Sequence, residues 1–351
     1  MLISIQACRA MAALLVVFFH TGVALSSEKY FGTSASSIAG IFMFGGQAGV
    51  DFFFVLSGFI IAYVHWGDLD HPERFLIYIR KRVSRIYPAY IIIFMTVYVI
   101  AFFTPSLRNK IPADILLLSK SLLLLPQNAN IVGGTGAPVL IVAWSLQYEM
   151  IFYCVFAVGL LSRKGLYIVG TLFLLNFSLQ PTYGPYEFPR GFFANHLFFL
   201  FAMGIFAAVA ARSQIRLPSA GFIATCAGLA FFCTGLIVDL TESNSLRFEF
   251  DLTYGVLSSI IIFTLTKFEF GGKRKLELAP IVVLGNSSYA LYLIHYPLIS
   301  LLCKLIILIL PRSNASAWCA FALIVTICTS AGLIFHIFVE LPILRRLARS
   351  S

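Results

Sequence analysis

The chain has 351 residues, of which 60% are hydrophobic and only 11% charged, with a mean hydropathy of +0.92 and a net charge of +10. That leaves too little polar surface to coat a soluble globule, so the composition excludes a water-soluble domain and predicts an all-α, polytopic membrane bundle. The basic excess is read as orientation signal rather than as a nucleic-acid footprint, and no nucleic-acid partner is expected.

Apolar runs predict ten spans, near 5–25, 43–65, 86–103, 141–161, 165–180, 193–211, 217–238, 252–267, 280–303 and 315–339, the fifth being the shortest. About 20 residues suffice to cross a bilayer. With the N-terminus in the cytoplasm, Lys and Arg fall in cytoplasmic segments about twice as often as on the other side, the positive-inside pattern, and the C-terminus is cytoplasmic as well. No fixed-period repeat or long low-complexity linker interrupts the chain, which reads as one membrane domain over 1–351. Ala10–Phe19 is short enough to resemble a signal-peptide core, but Arg9 is the only positive charge ahead of it, so a retained first helix is expected.

That first span, Ile5–Leu25, carries two strongly polar side chains, Arg9 and His20. Eleven residues apart, they fall on one helix face, roughly 16 Å apart along the axis. Ionisable groups inside a membrane are costly and usually mark a site. The second span opens with Gly45, Gly46 and Gly49, places Asp51 a short way in, and has Ser57 and Gly58 at its middle. The small residues suit close helix packing, whereas Asp51 wants Arg9 or a wet cavity as partner.

The cytoplasmic stretch His71–Pro88 holds Arg80, Lys81, Arg82 and Arg85, with Arg82 and Arg85 one turn apart on a helix leading into the third span. Topology signal and headgroup contact explain such clusters, as does an anion site, because guanidinium forks bind phosphate through paired hydrogen bonds. Residues 104–140 follow on the outer side, with a run at Ile115–Leu125 too short to span and therefore interfacial or re-entrant. Lys273, Arg274 and Lys275 read as further topology signal.

The fourth span begins AWSLQYEMIFY and runs outside to inside, putting Glu149 about 8 Å below the outer boundary. His20 comes out roughly 22 Å up a core of ~30 Å, at the same level. A carboxylate and an imidazole at one depth suit an orienting acid and a general base. Trp144 and Ser145 sit beside Glu149 as cavity-lining candidates, and Trp144 also fits an interfacial aromatic belt. In the ninth span, Tyr289 and His295 lie in a polar run, and His295 again falls about 22 Å up, which makes it a substrate-binding or cavity-lining candidate. His336 and Glu340 share a face near the cytoplasmic end of the last span and read as helix-end anchors. Seven cysteines are scattered without a CxxC pair, giving neither a disulfide framework nor a metal site, and small buried apolar residue is the role expected of each.

These motifs together resemble the acyltransferase-3 family of integral membrane acyltransferases, in the branch that decorates bacterial exopolysaccharides and lipopolysaccharides. The resemblance runs through Arg9 to His20, GVDFFFVLSGF (Gly49–Phe59), RVSRIYP (Arg82–Pro88), WSLQYEMIFY (Trp144–Tyr153), LGNSSYALYLIH (Leu284–His295) and HIFVELP (His336–Pro342). It implies ten membrane helices, acyl-coenzyme A (acetyl-CoA by family frequency) as cytoplasmic co-substrate without a metal, and a saccharide or lipid-linked saccharide as acceptor. It also implies His20 as catalytic base, Glu149 as its acidic partner or a substrate ligand, and Arg82 and Arg85, with Arg80 and Arg9 nearby, as donor-binding residues. The rival reading is a proton-coupled transporter or exporter of a polysaccharide precursor, which would use buried His, Glu and Arg as a relay.

Overall fold

The computed structural model of the protein describes residues 2–43, 45–108, 111–184, 186–241, 247–271 and 279–349. Its main helices, in chain order, are α1 (Ile3–Leu25), α2 (Gly45–His65), α3 (Phe75–Phe103), α4 (Trp144–Leu161), α5 (Arg163–Ser178) and α6 (Leu197–Arg212). They continue as α7 (Ala220–Thr241), α8 (Arg247–Phe270), α9 (Ala279–Asn286), α10 (Ser288–Ile306) and α11 (Asn314–Phe335). Beyond α11 a π-helical turn, His336–Glu340, leads into α12 (Leu341–Arg349). No strand occurs among the described residues. This is the bundle that composition requires, since a helix satisfies its own backbone within the hydrocarbon.

Nine helical stretches among the described residues are long and apolar enough to cross a membrane, against ten expected. The difference is α5, the region expected to span as 165–180. Its 16 residues reach only about 24 Å, short of a ~30 Å core. Ser162 starts it, its hydroxyl accepting from Gly165 N at 3.2 Å, and a separate turn, Gln180–Tyr183, with Pro181 in its first positions, follows it. The expected ninth span also differs, because the chain breaks into α9 and α10 at Ser287, whose hydroxyl donates to the Leu284 carbonyl at 3.0 Å. Such local bonding competes with continuous helix in the Asn286–Ser287–Ser288 run. The arginine-bearing stretch and the third span form one helix, α3, with Pro88 inside it. Lys273, Arg274 and Lys275 lie outside the described residues.

The helices pack as two units. The first comprises Met1–Tyr63 with Phe199–Val339. In it α1 packs against α8, α9, α10 and α11, and its core joins Ala13, Val17 and Leu25 to Leu291, Ile299, Phe321 and Ile324. The absence of side chains permits its tightest crossings. A Cβ on Gly58 would stand 2.1 Å from the Phe201 carbonyl oxygen, and one on Gly204 2.0 Å from that of Val55, so α2 and α6 meet backbone to backbone. Gly58 is thus a packing residue, as expected from its type.

The second unit comprises Val64–Phe198 with Glu340–Ser351. Here α4 lies against α3 and α5, and the outer segment is pinned to the bundle by side chains that reach its carbonyls. Tyr90 Oη donates to Ser121 O at 2.7 Å, Tyr87 Oη to Leu123 O at 2.8 Å, and Gln147 Nε2 to Gly136 O at 3.0 Å. The run expected to be interfacial or re-entrant includes a short helix, Ile115–Leu122, capped by Asp114 accepting from Leu116 N at 2.7 Å.

The cysteine expectation needs correction. Cys8, Cys303 and Cys328 are buried, but Cys154, Cys226, Cys233 and Cys319 face outward, where the bilayer accepts a small apolar group as readily as a core does. Among the described residues no group of three His, Cys, Asp or Glu is placed to hold a metal ion.

Candidate active site

The first unit contains a histidine pair. His20 Nδ1 lies 3.0 Å from the carbonyl oxygen of Val16, one turn back on α1, and 3.2 Å from Nε2 of His295 on α10. His295 is completely buried, and its Nδ1 lies 3.2 Å from the Leu291 carbonyl, again one turn back. His20 is half-buried. Tyr296 meets the His20 ring edge-on with centroids 5.3 Å apart, and Tyr292 lies 5.6 Å from the His295 ring. Since a carbonyl only accepts, the Val16 oxygen requires hydrogen on Nδ1 of His20, and in a neutral ring that leaves Nε2 with its lone pair.

Other predicted site residues of this unit occupy the same helices. Arg9 and Tyr289 are half-buried, and Asp51 is buried at 2% exposure. A cavity of about 600 Å³ lies on the other side of α1, lined by Ala7, Ala10, Met11, Leu14 and Phe18 together with Phe42, Phe232 and Leu284. At 100° per residue this face is roughly 150° round the helix from Arg9 and His20. One side of α1 therefore carries Arg9 and His20, and the other lines an apolar cavity.

The second unit contains the arginines and Glu149. The Arg82 guanidinium lies over two aromatic rings, 5.7 Å from the Tyr78 ring centroid and 5.8 Å from that of Tyr153. Tyr153 Oη in turn donates to Glu149 Oε1 at 2.5 Å, and Tyr78 Oη donates to the Tyr153 carbonyl at 3.3 Å. Helix periodicity builds both halves of this arrangement, since Tyr78 and Arg82 are i, i+4 on α3, and Glu149 and Tyr153 are i, i+4 on α4. Arg85 behaves differently. Its Nη1 pairs with Glu340 Oε1 at 3.2 Å, with Glu340 only 2% exposed and the arginine 30%. Arg80 is exposed.

Trp144 meets Tyr148 edge-on at 6.0 Å, and Tyr148 stacks on Phe192 at 4.2 Å. The Ser145 hydroxyl donates to the Val142 carbonyl at 3.3 Å. The structure thus brings His20 together with His295, and Arg82 with Glu149 through Tyr153. His20 and Glu149 belong to different units, and each has partners in its own. Residues that sequence reasoning did not select are Tyr78 and Tyr153, for which the i, i+4 spacing was the available signal. Glu340 was read as a helix-end anchor, and it is the ion-pair partner of Arg85.

Comparison with known proteins decides the class. A family profile described as "Acyltransferase domain", of acyltransferase type 3, matches residues 2–335. The chain belongs to the acyltransferase-3 family. It is therefore a multi-pass membrane acyltransferase, an enzyme, and the transporter reading of the sequence falls away. Among curated proteins it is similar to the exopolysaccharide production protein ExoZ of Rhizobium meliloti (strain 1021), with 28% identity over 320 residues that cover 86% of this chain and 90% of ExoZ. It is also similar to the acyltransferase MdmB of Streptomyces mycarofaciens, with 26% identity over 384 aligned positions covering 99% of this chain and 92% of MdmB. No solved structure matches the chain.

Proposed function

We propose that this acyltransferase moves an acetyl group from acetyl-coenzyme A to a hydroxyl of a saccharide, free or lipid-linked, destined for a cell-surface or exported polysaccharide. The observation that carries the reading is the engagement of His20 Nδ1 by the Val16 carbonyl, which leaves Nε2 as the basic nitrogen. In the proposed reaction Nε2 takes the proton of the acceptor hydroxyl as its oxygen attacks the thioester carbonyl. The C–O bond forms, the C–S bond breaks, and the imidazolium returns the proton to the departing thiolate. General base assistance of this kind contributes about 10²–10⁴ in rate.

Arg82 and Arg85, with Arg80 and Arg9 contributing positive field, are assigned to the donor. Its phosphates suit guanidinium forks, and the flat Tyr78 and Tyr153 faces hold Arg82 in one orientation. Glu149, tied to Tyr153, is assigned to the acceptor or the donor arm, with Asp51, Trp144, Ser145 and Tyr289 as lining residues. The saccharide assignment rests on the similarity to a protein named for exopolysaccharide production. The location that fits is a bacterial inner membrane with both termini cytoplasmic, as the Lys and Arg distribution favours.

The test is the full chain reconstituted in lipid with ¹⁴C-acetyl-coenzyme A and an oligosaccharide. Free coenzyme A and labelled saccharide are expected in equal amounts. Label on the saccharide with no thiol released, or solute movement with neither, would overturn the proposal.

A further inference from the structure

We infer that His295 is the positioning residue for His20, holding the base in the tautomer and orientation in which it works. The inference rests on the reading of His20 as the base. It assigns His295 a role other than the substrate contact expected from the sequence.

Carbonyl oxygens fix the hydrogens of both rings. Leu291 O, 3.2 Å from Nδ1 of His295, requires a hydrogen there, so Nε2 of that neutral ring is an acceptor. This acceptor lies 3.2 Å from His20 Nδ1, the nitrogen whose hydrogen Val16 O already requires. The hydrogen on His20 Nδ1 is thus shared between a carbonyl of its own helix and an imidazole from a helix 275 residues further along the chain. The opposite tautomer of His20 would set two lone pairs on Nδ1 and Nε2 against each other and turn the Nδ1 lone pair toward the Val16 oxygen. When His20 Nε2 gains a proton, the Nδ1–H···Nε2 bond becomes charge-assisted and strengthens, while the proton on Nδ1 stays where it is. A neutral imidazole does here what a carboxylate does in other base pairs, without the cost of a buried anion.

His295 is held rigidly enough for this. It is completely buried, its own carbonyl accepts from Cys328 Sγ at 4.0 Å, and Tyr292 covers it at 5.6 Å. The helices carrying these contacts cross closely, since a Cβ on Gly332 of α11 would stand 2.8 Å from Leu291 Cα. His20 keeps partial exposure, so the pair has one sealed member and one accessible to a reactant.

The experiment compares His295→Phe and His295→Gln in lipid-reconstituted full chain, reading kcat and KM for acetyl-coenzyme A, with His20→Ala alongside. The Gln side chain reaches the position of Nε2 with a carbonyl acceptor, whereas Phe fills the volume without one. His295→Phe is expected to lower kcat about 10–100-fold with KM within about two-fold, and His295→Gln to restore most of the loss. A higher KM with kcat unchanged in His295→Phe, or no rescue by Gln, overturns the inference. ¹⁵N-histidine NMR of the wild-type chain reads the tautomer without any variant, and a His20 ring protonated on Nε2 also overturns it. Transfer retained by His20→Ala defeats the base reading itself. Loss in His20→Ala with normal kcat in His295→Phe defeats only the role of His295.

Discussion

The histidine pair of the first unit and the arginine pair of the second solve the same problem in opposite ways. Both place polar side chains inside a hydrophobic bundle. His20 and His295 are kept by acceptors alone, two helix carbonyls and one ring nitrogen, and a neutral ring needs no counter-charge. Arg82 and Arg85 are permanent cations, so each is compensated, Arg82 by two tyrosine rings, one of them bonded to Glu149, and Arg85 by the carboxylate of Glu340. The difference teaches that the first unit holds polar groups that can stay neutral and the second holds permanent charges with partners arranged round them. In the proposed reaction the first would handle the proton and the second the anionic donor.

The comparison can be broken at several points. After His20 itself, the largest expected effect falls on Arg82. Its replacement by Ala is expected to raise KM for acetyl-coenzyme A by about 10–100-fold while leaving kcat nearly intact, and Arg82→Lys to recover little, because an ammonium has no planar fork to lay over the Tyr78 and Tyr153 rings. Steady-state kinetics across donor concentrations check this, and a kcat loss at unchanged KM would erase the division between the units. Next, Glu340→Ala is expected to destabilise the protein by about 1–3 kcal/mol, less than a fully buried pair because Arg85 keeps 30% exposure. Thermal unfolding in detergent reads the loss, and the Arg85→Ala, Glu340→Ala double variant is expected to be less destabilised than the sum of the two single ones.

A smaller effect is expected of Gly58→Ala. A Cβ 2.1 Å from the Phe201 oxygen forces α2 and α6 apart, at a cost of about 1–3 kcal/mol with the donor KM unchanged. The smallest belongs to the outward-facing cysteines. Replacing Cys154, Cys226, Cys233 and Cys319 together by Ala is expected to leave transfer and unfolding temperature as they were, and a clear loss would show that one of them has a partner.

Much of this architecture was legible in the residues. Unbroken apolar runs located the spans because the bilayer leaves the backbone few alternatives. Five of the six runs of motif residues carry side chains now seen in the histidine and arginine arrangements. Depth arithmetic put His295 at the level of His20, and the two rings do meet. It also put Glu149 at that level, and Glu149 accepts from Tyr153 one turn on along its own helix, a contact that i, i+4 spacing allows. The split between α9 and α10 was hidden because Ser287 and its neighbours act through local hydrogen bonds that hydropathy does not register. The pairing of Arg85 with Glu340 spans 255 residues, a separation at which spacing carries no signal.

The account turns on His20 as the group that takes the acceptor's proton. Wild-type and His20→Ala chains, each reconstituted in lipid and shown to bind acetyl-coenzyme A equally, would be given ¹⁴C-acetyl-coenzyme A and oligosaccharide, and labelled saccharide counted over time. The expected result is a fall in initial rate of about 10²–10⁴ with donor affinity retained. Labelled saccharide formed by His20→Ala at the wild-type rate would contradict the account.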